Sequence, residues 1–285
     1  NSGAGKFKLG TQAVGAWASG GAINQGRHLG GGCGTQTAAI IFAGQDPKYA
    51  IAETYDGSTW TEVADLTTAR STLGNAGQAP QTTALGFGGI EPALSDKTEN
   101  YNGTSWTELA NLNTAGGYGA GFGTSTAAVY ALRNPSSGVT EEWNGTAWTT
   151  VTAVPTSYYG ARGSGILTAG LIFGGYPTSA LTFEYDGTNW TAGGALTTAR
   201  DNVVGVGTQT DSVAFGGQEP STSTKTEQYN GTAWTEVADM TTARHSAMPA
   251  GTTGGAAIAA GGAPALTATE EWSDPVYTIK TVTVS

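Results

Sequence analysis

The heptapeptide Tyr55-Asp56-Gly57-Ser58-Thr59-Trp60-Thr61 decides the fold, because four close copies of it follow along the chain. Each copy reads aromatic, Asn or Asp, Gly, Ser or Thr, any residue, Trp, Thr. A sixth aromatic residue keeps the spacing without the motif, and successive heads are separated by 42 to 46 residues: Tyr55, Tyr101, Trp143, Tyr185, Tyr229 and Trp272. A constant period of this length indicates that one supersecondary unit is repeated in a ring or an array.

Each repeat contains four short segments with the composition of β-strands. In residues 200–235 a Val- and Gly-rich segment is followed by the apolar run 212–215, then by 226–229 and by a segment that begins at Trp234. The Asn230-Gly231 pair between the last two segments favours a two-residue hairpin, because both central residues of such a turn need positive φ. No segment has a helical period, so the sequence predicts an all-β protein.

Composition excludes several classes of function. The net charge is −10, from 22 acidic and 12 basic residues, and no basic run is present, which argues against binding to nucleic acid. Cys33 is the only cysteine, so neither an intramolecular disulfide nor a cysteine zinc site is possible. No stretch of 18 apolar residues occurs, and we therefore expect no membrane insertion. We also expect no cofactor and no metal.

A pair of glycines closes the second strand of four repeats, at Gly88-Gly89, Gly174-Gly175, Gly216-Gly217 and Gly261-Gly262. Together with the Tyr and Trp that follow, these pairs resemble the Kelch repeat of β-propellers, over about residues 14–275. Ala43-Gly44 and Leu132-Arg133 depart from the pattern. The resemblance implies a single six-bladed propeller of four-stranded antiparallel blades. The Thr- and Gly-rich repeats are also similar to Kelch-like proteins of marine bacteriophages.

The repeat divides the whole chain, residues 1–285, into blades of one propeller. The predicted blades are 27–65, 70–111, 116–153, 158–195, 200–239, and 244–272 completed by 14–22. Trp17 precedes Arg27 by the interval that separates Trp60 from Arg70, so we expect residues 14–22 to supply the outer strand of blade 6 and close the ring. The tail strand 276–285 competes for that place, since Tyr277 aligns with the repeat's Trp.

Four arginines occupy one repeat position, just before the inner strand, where blades 3 and 4 have Gly116 and Tyr158 instead: Arg27, Arg70, Arg200 and Arg244. One interpretation is that these guanidinium groups surround a mouth of the channel and bind a carboxylate, a sulfate or an acidic sugar. The other is that each arginine pairs with a nearby acid or caps a loop carbonyl. The glutamates that recur two residues before the aromatic favour a solvated or ion-paired role, because once-per-blade spacing does not suit a paired acid and base.

The loop after the second strand differs in every blade, and it is predicted to share the face of the arginine position. Variable loops on a rigid scaffold are common binding sites. The candidate ligand-binding patch comprises Arg133, Tyr158, Tyr159 and Tyr176. His28 and His245 hold equivalent positions in blades that adjoin if the ring closes, but no further ligand type supports a metal site there.

These observations favour a non-enzymatic binding or structural module. The phage resemblance implies a virion tail or fibre component, or an extracellular adhesion protein, that recognises a surface glycan or another virion or surface protein. Two alternatives stay open: a lyase or hydrolase that acts on polysaccharide at the arginine-lined mouth, and an interaction adaptor of the Kelch type.

Overall fold

The computed structural model describes residues 6–11, 15–135, 137–274 and 278–283. It confirms the predicted architecture, an all-β propeller with six four-stranded antiparallel blades. The described residues contain no α-helix, only a 3₁₀ turn at Gln81–Thr83. None of their helices is long or apolar enough to span a bilayer.

The first three blades follow one another along the chain, each running from the inner to the outer strand. Blade 1 is β3 Gly31–Thr35, β4 Ala38–Phe42, β5 Ala52–Tyr55 and β6 Trp60–Val63. Blade 2 is β7 Gly74–Asn75, β8 Leu85–Phe87, β9 Thr98–Tyr101 and β10 Trp106–Glu108. Blade 3 is β11 Ala120–Thr124, β12 Ala127–Arg133, β13 Ser137–Trp143 and β14 Trp148–Val151.

The last three blades repeat this order, except that blade 6 takes its outer strand from the start of the chain. Blade 4 is β15 Arg162–Ile166, β16 Ala169–Phe173, β17 Thr182–Tyr185 and β18 Trp190–Ala192. Blade 5 is β19 Val204–Thr208, β20 Asp211–Phe215, β23 Thr226–Tyr229 and β24 Trp234–Glu236, with the small hairpin β21 Gln218–Glu219 and β22 Ser221–Thr222. Blade 6 is β25 Met248–Thr253, β26 Ala256–Ala260, β27 Thr269–Ser273 and β2 Ala16–Gly20.

Strand β2 occupies the outer place of blade 6, with Trp17 opposite Trp272. The indole N–H of Trp17 donates to Thr226 Oγ1 of blade 5 at 2.9 Å, and Trp60 makes the equivalent bond to Thr269 of blade 6 at 3.1 Å. Trp17 therefore occupies, in blade 6, the position that the repeated Trp occupies in the other blades. The described part of the tail, β28 Thr278–Thr283, pairs instead with β1 Lys6–Thr11, and Tyr277 lies outside the described residues. How much β2 contributes to holding the ring together stays a prediction.

Tight backbone packing near the axis explains the glycine-rich inner strands. A Cβ at Gly121 would lie 2.5 Å from the backbone nitrogen of Asn75 in blade 2, and one at Gly163 would lie 2.7 Å from the carbonyl oxygen of Gly121. Side chains larger than hydrogen would therefore push neighbouring blades apart. The inner strands pack almost backbone to backbone, and the central channel is narrow.

Large aromatic side chains fill the space between blades farther from the axis. In four blades, the Trp of the outer strand packs on the Phe that ends the second strand of the preceding blade. Ring centroids are 4.8 Å apart for Trp106 and Phe42, and 4.9 Å apart for Trp148 and Phe87. Trp234 with Phe173, and Trp17 with Phe215, repeat the contact at 4.9 Å. The blade interfaces therefore form the hydrophobic core.

Candidate functional site

The four arginines of the repeat position do not line the channel mouth. Arg27, Arg70, Arg200 and Arg244 are fully buried inside the blades. Each forms an ion pair with the glutamate of its own blade, at 2.5 Å for Glu53, 2.8 Å for Glu99 and Glu227, and 2.7 Å for Glu270. The expectation that these guanidinium groups bind an acidic ligand is therefore wrong. The physical reason is that this repeat position faces the interior of its blade and not the channel mouth. The arginine recurs because the glutamate with which it pairs recurs too.

Each of these carboxylates also accepts a hydrogen bond from the linker that enters its blade. The donor in blade 5 is the backbone N–H of Thr197, 2.6 Å from Glu227 Oε2, and in blade 2 it is that of Thr67, 2.7 Å from Glu99 Oε2. The guanidinium of Arg200 further donates to the carbonyl oxygens of Gly216 and Lys225. We call the arginine, the glutamate and the linker N–H the polar cluster of a blade. It pairs the buried charges, although one guanidinium nitrogen of each arginine has no partner, and it ties each linker to the blade that follows.

Blade 3 builds the same cluster from a different position in the chain. Gly116 stands where blades 1, 2, 5 and 6 have arginine, and Arg133 enters the vacant space from the end of β12 to pair with Glu141. A Cβ at Gly116 would overlap the Cδ atom of Arg133. Arg133 is 1% exposed, so its assignment to the ligand-binding patch is wrong. Its departure from the Gly-Gly pattern compensates for the missing arginine.

Blade 4 has an apolar replacement for every member of the polar cluster. Tyr158 stands at the arginine position, Phe183 at the glutamate position, and Pro155 at the linker position, where its nitrogen carries no hydrogen. Tyr158 is 8% exposed and Phe183 is 7% exposed, and both belong to one hydrophobic cluster. The assignment of Tyr158 to the ligand-binding patch is therefore also wrong. Its ring packs inside the blade.

The variable positions lie on one face of the propeller, which we call the loop face. In every blade, the residue after the arginine position forms an antiparallel bridge with the residue that follows the position of the glycine pair. The six bridges are His28 with Gln45, Ser71 with Ile90, Gly117 with Asn134, Tyr159 with Tyr176, Asp201 with Gln218, and His245 with Ala263. The backbone of the loop face repeats, whereas its side chains differ from blade to blade.

The tyrosines of blades 3 and 4 form an aromatic ladder on the loop face. The rings of Tyr159 and Tyr176 stack with centroids 5.0 Å apart and an interplanar angle of 24°. Tyr118 of blade 3 continues the ladder, with its centroid 5.9 Å from that of Tyr159. Tyr176 is 49% exposed, and the other two are partly exposed. The structure thus joins two of the four predicted patch residues and adds Tyr118. The sequence signal that could have identified Tyr118 is its position in the repeat. The other blades have Leu29 or small or polar residues at that position.

Polar side chains from blades 3 and 5 border the ladder and complete a surface cleft of about 320 Å³. They are Asn134, Asp201, Asn202 and Gln218. Burial raises the pKa of Asp201, although the hydrogen bond from Asn202 Nδ2 at 3.2 Å acts in the opposite direction. We call the three tyrosines and these four polar residues the tyrosine cleft. It offers apolar ring faces beside amide groups that can both donate and accept hydrogen bonds.

A ring of backbone hydrogen bonds surrounds the channel just below the tyrosine cleft. One residue per blade has a left-handed backbone, with φ between 50° and 77°: Leu29, Thr72, Tyr118, Gly160, Asn202 and Ser246. Five of the six N–H groups donate to the carbonyl of their counterpart in the preceding blade, for example Thr72 to Leu29 at 2.7 Å and Tyr118 to Thr72 at 2.9 Å. Among these described residues, the bond is missing only between Asn202 and Gly160. That interruption lies at the floor of the cleft.

His28 and His245 adjoin on the loop face, with ring centroids 6.4 Å apart. The nearest carboxylate is that of Asp46, whose Oδ2 lies 3.4 Å from His28 Nδ1. Burial lowers the pKa of both histidines. The described residues contain no group of three His, Cys, Asp or Glu side chains arranged to hold a metal ion.

Comparison with known proteins supports the fold and nothing finer. No protein-family model matches the chain, and no curated protein matches it either. A solved structure titled "Structure of YjhT" superimposes with a TM-score of 0.70 at 12% sequence identity, and the match covers 92% of this chain and 99% of that one. At this identity the likeness establishes the propeller and carries no information about ligand or activity.

Proposed function

We propose that this propeller is a non-enzymatic carbohydrate-binding module that takes a surface glycan in the tyrosine cleft. The single observation that carries the proposal is the aromatic ladder of Tyr118, Tyr159 and Tyr176. Elsewhere in the described residues, tyrosine rings are mostly buried against the repeat's Trp. Here, three rings converge on an open surface, at the part of the repeat that varies most.

The cleft has the composition that recognition of a sugar requires. Tyrosine rings supply large apolar faces at a low cost in side-chain entropy, and their hydroxyl groups supply hydrogen bonds. The apolar face of a pyranose ring can stack on such a surface. Asn134, Asn202 and Gln218 then stand at the edge of the cleft, where amide groups can pair with sugar hydroxyls.

Binding without turnover agrees better with the cleft than hydrolysis does. Glycoside hydrolysis normally uses two carboxyl groups about 5 to 10 Å apart, one on each side of the scissile bond. Asp201 is the only carboxylic acid among the described residues that line the cleft. The alternative of a lyase or hydrolase at an arginine-lined mouth has also lost its motivation, because those arginines are buried in ion pairs.

The resemblance of the repeats to Kelch-like proteins of marine bacteriophages supports the setting that we propose for this module. In a virion tail or fibre, or on an extracellular adhesion protein, the loop face would meet a glycan of the host surface. The low charge of the cleft suits a neutral saccharide, whose affinity comes from stacking and directed hydrogen bonds rather than from ion pairing.

A glycan array followed by titration of the best hit tests the proposal. We expect Tyr159→Ala with Tyr176→Ala to weaken binding by about 10- to 100-fold, since aromatic anchors of this kind contribute the most at recognition surfaces. The melting temperature should change by only a few degrees, because Tyr176 is half exposed and Tyr159 is partly exposed.

Tyr49→Ala is the matched control, because Tyr49 is a partly exposed tyrosine in the corresponding loop of blade 1, outside the cleft. It should bind like the wild type. Unchanged affinity in the double variant would move the site elsewhere on the molecule. Shortened saccharide products after prolonged incubation would replace the binding module with an enzyme.

A further inference from the structure

Arg162 differs from every other arginine in the chain. The sequence has six arginines, and five of them form the buried ion pairs described above. Among the described residues, no carboxylate oxygen lies within 4.0 Å of the Arg162 guanidinium, and no side chain or carbonyl forms a hydrogen bond with it. Each of the other five arginines pairs with a glutamate of its own blade, and Arg162 has no such partner.

The position of Arg162 places this unpaired charge in the central channel. It begins the inner strand of blade 4, where the other blades have uncharged residues: Gly31, Gly74, Ala120, Val204 and Met248. Arg162 lines a channel cavity of about 20 Å³ that is enclosed by the inner strands of all six blades. It also lines a smaller cavity of about 10 Å³ directly beneath the ring of left-handed residues.

No carboxylate of the described residues balances the charge of the Arg162 guanidinium. Arginine stays protonated in proteins, and Arg162 is only partly exposed, to the narrow channel. Burial lowers the pKa of Arg162, with Tyr130 acting weakly in the opposite direction. The Tyr130 phenol cannot serve as the counter-charge, because burial raises its own pKa to about 12 and the group is neutral at physiological pH.

The other polar side chains of the channel are neutral, and apart from the buried hydroxyl of Thr72, which has no hydrogen-bond partner, the ones described next are already bonded. Asn75 Nδ2 donates to the carbonyl oxygen of Gly32 at 2.7 Å, and Ser164 Oγ lies 2.5 Å from Ser212 Oγ. Gln78 crosses the far end of the channel, where its Nε2 donates to the carbonyl oxygens of Gly207 and Thr252, at 2.7 Å and 3.1 Å. The channel is therefore nearly closed at that end by an amide and at the other by the backbone ring.

We propose that the central channel binds one small inorganic anion, of the size of chloride, against the guanidinium of Arg162. The cavity volume of about 20 Å³ favours a monatomic anion over sulfate and larger carboxylates. The anion supplies the charge that Glu53, Glu99, Glu141, Glu227 and Glu270 supply to the other arginines. This site is separate from the tyrosine cleft and does not depend on its ligand.

Bromide and chloride are the probes that test this site. In crystals of the wild-type protein grown with sodium bromide, we expect an anomalous peak in the channel beside Arg162. In solution, sodium chloride should replace sodium methanesulfonate at constant ionic strength. The melting temperature should then rise with saturation, by roughly 5 °C at a hundredfold excess over the half-saturating concentration.

Arg162→Met should lose this chloride dependence. Lys48→Met, which removes one positive charge from an exposed site on blade 1, should keep it. A channel without bromide, or an equal chloride response in Arg162→Met, overturns the proposal. Stronger stabilisation by acetate or sulfate than by chloride overturns the assigned size of the ligand. Should Arg162→Met fail to fold, the bromide map of the wild type decides alone.

Discussion

Blades 4 and 5 fill the same interior position with opposite chemistry. Blade 5 buries the charged pair Arg200 and Glu227, and the carboxylate also holds the N–H of Thr197. Blade 4 has Tyr158 and Phe183 at the first two positions, both within one apolar cluster. At the third position, Pro155 has no N–H to offer. The ion pair and the linker N–H are absent together in blade 4, and the buried hydroxyl of Tyr158 is left without a hydrogen-bond partner.

This contrast is what we expect if the polar cluster behaves as a unit. A buried ion pair gains little over a well-packed apolar replacement, because desolvation offsets most of the attraction between the charges. Replacing only one residue of the pair lowers the stability of the protein much more, since it leaves the other charge buried without a partner. In blade 4 the ring of Pro155 fixes φ at the linker, whereas in blade 5 hydrogen bonds hold the linker. Blade 3 conforms to the same rule, because its arginine has moved to Arg133 and the charge pair is intact.

Removing one half of a polar cluster should have the largest effect. Glu227→Ala leaves Arg200 buried without its carboxylate and the Thr197 N–H without an acceptor. We expect the free energy of unfolding to fall by about 3 to 5 kcal/mol, measured by chemical denaturation. Glu236→Ala, an exposed glutamate opposite Glu227 on the next strand, is the control and should be nearly silent. Equal small losses in both variants would contradict the cluster as a unit.

Restoring the repeat's own arrangement in blade 3 should rescue a damaging substitution. Arg133→Gly removes the partner of Glu141 and should cost about 3 kcal/mol. Adding Gly116→Arg supplies a guanidinium to Glu141 from the position that Arg27 and Arg70 occupy in their blades. Most of the lost stability should therefore be recovered. Gly116→Arg alone should destabilise, since its side chain would overlap Arg133. Additive losses in the double variant would show that the two positions do not share one space.

Transplanting the apolar set of blade 4 into blade 5 should have the smallest effect. The triple variant Thr197→Pro, Arg200→Tyr, Glu227→Phe removes donor, charge and acceptor together. Its free energy of unfolding should stay within about 2 kcal/mol of the wild type, because the exchange of a buried pair for packed apolar groups is close to neutral. Arg200→Tyr alone should be clearly less stable than the triple variant. A triple variant as unstable as Glu227→Ala would mean that the charge itself stabilises blade 5.

Sequence spacing predicted the architecture well and the candidate site only in part. The presence of a hairpin at Asp56-Gly57, the blade count and the equivalence of Trp17 with Trp60 all follow from local motifs and their intervals. The predicted two-residue turn was wrong, because Tyr55 pairs with Trp60 across a four-residue loop in which only Gly57 has positive φ. The site was predicted less well because spacing identifies equivalent positions without showing which way they face. Arg133 and Tyr158 looked like departures on a variable surface, yet both repair the interior of a blade. Tyr118 was missed although it lies in the same cleft as Tyr159.

The sequence by itself determined that one four-stranded unit recurs six times, because turn residues and strand patterns act over a few neighbouring positions. Only the tertiary structure decided which recurring residues are buried and which meet solvent. The reason is that the environment of each side chain comes from a different blade or linker, often about 30 residues away, as Thr197 is from Glu227. Arg162 shows this most clearly, since its lack of a carboxylate becomes evident only when all six inner strands surround one channel.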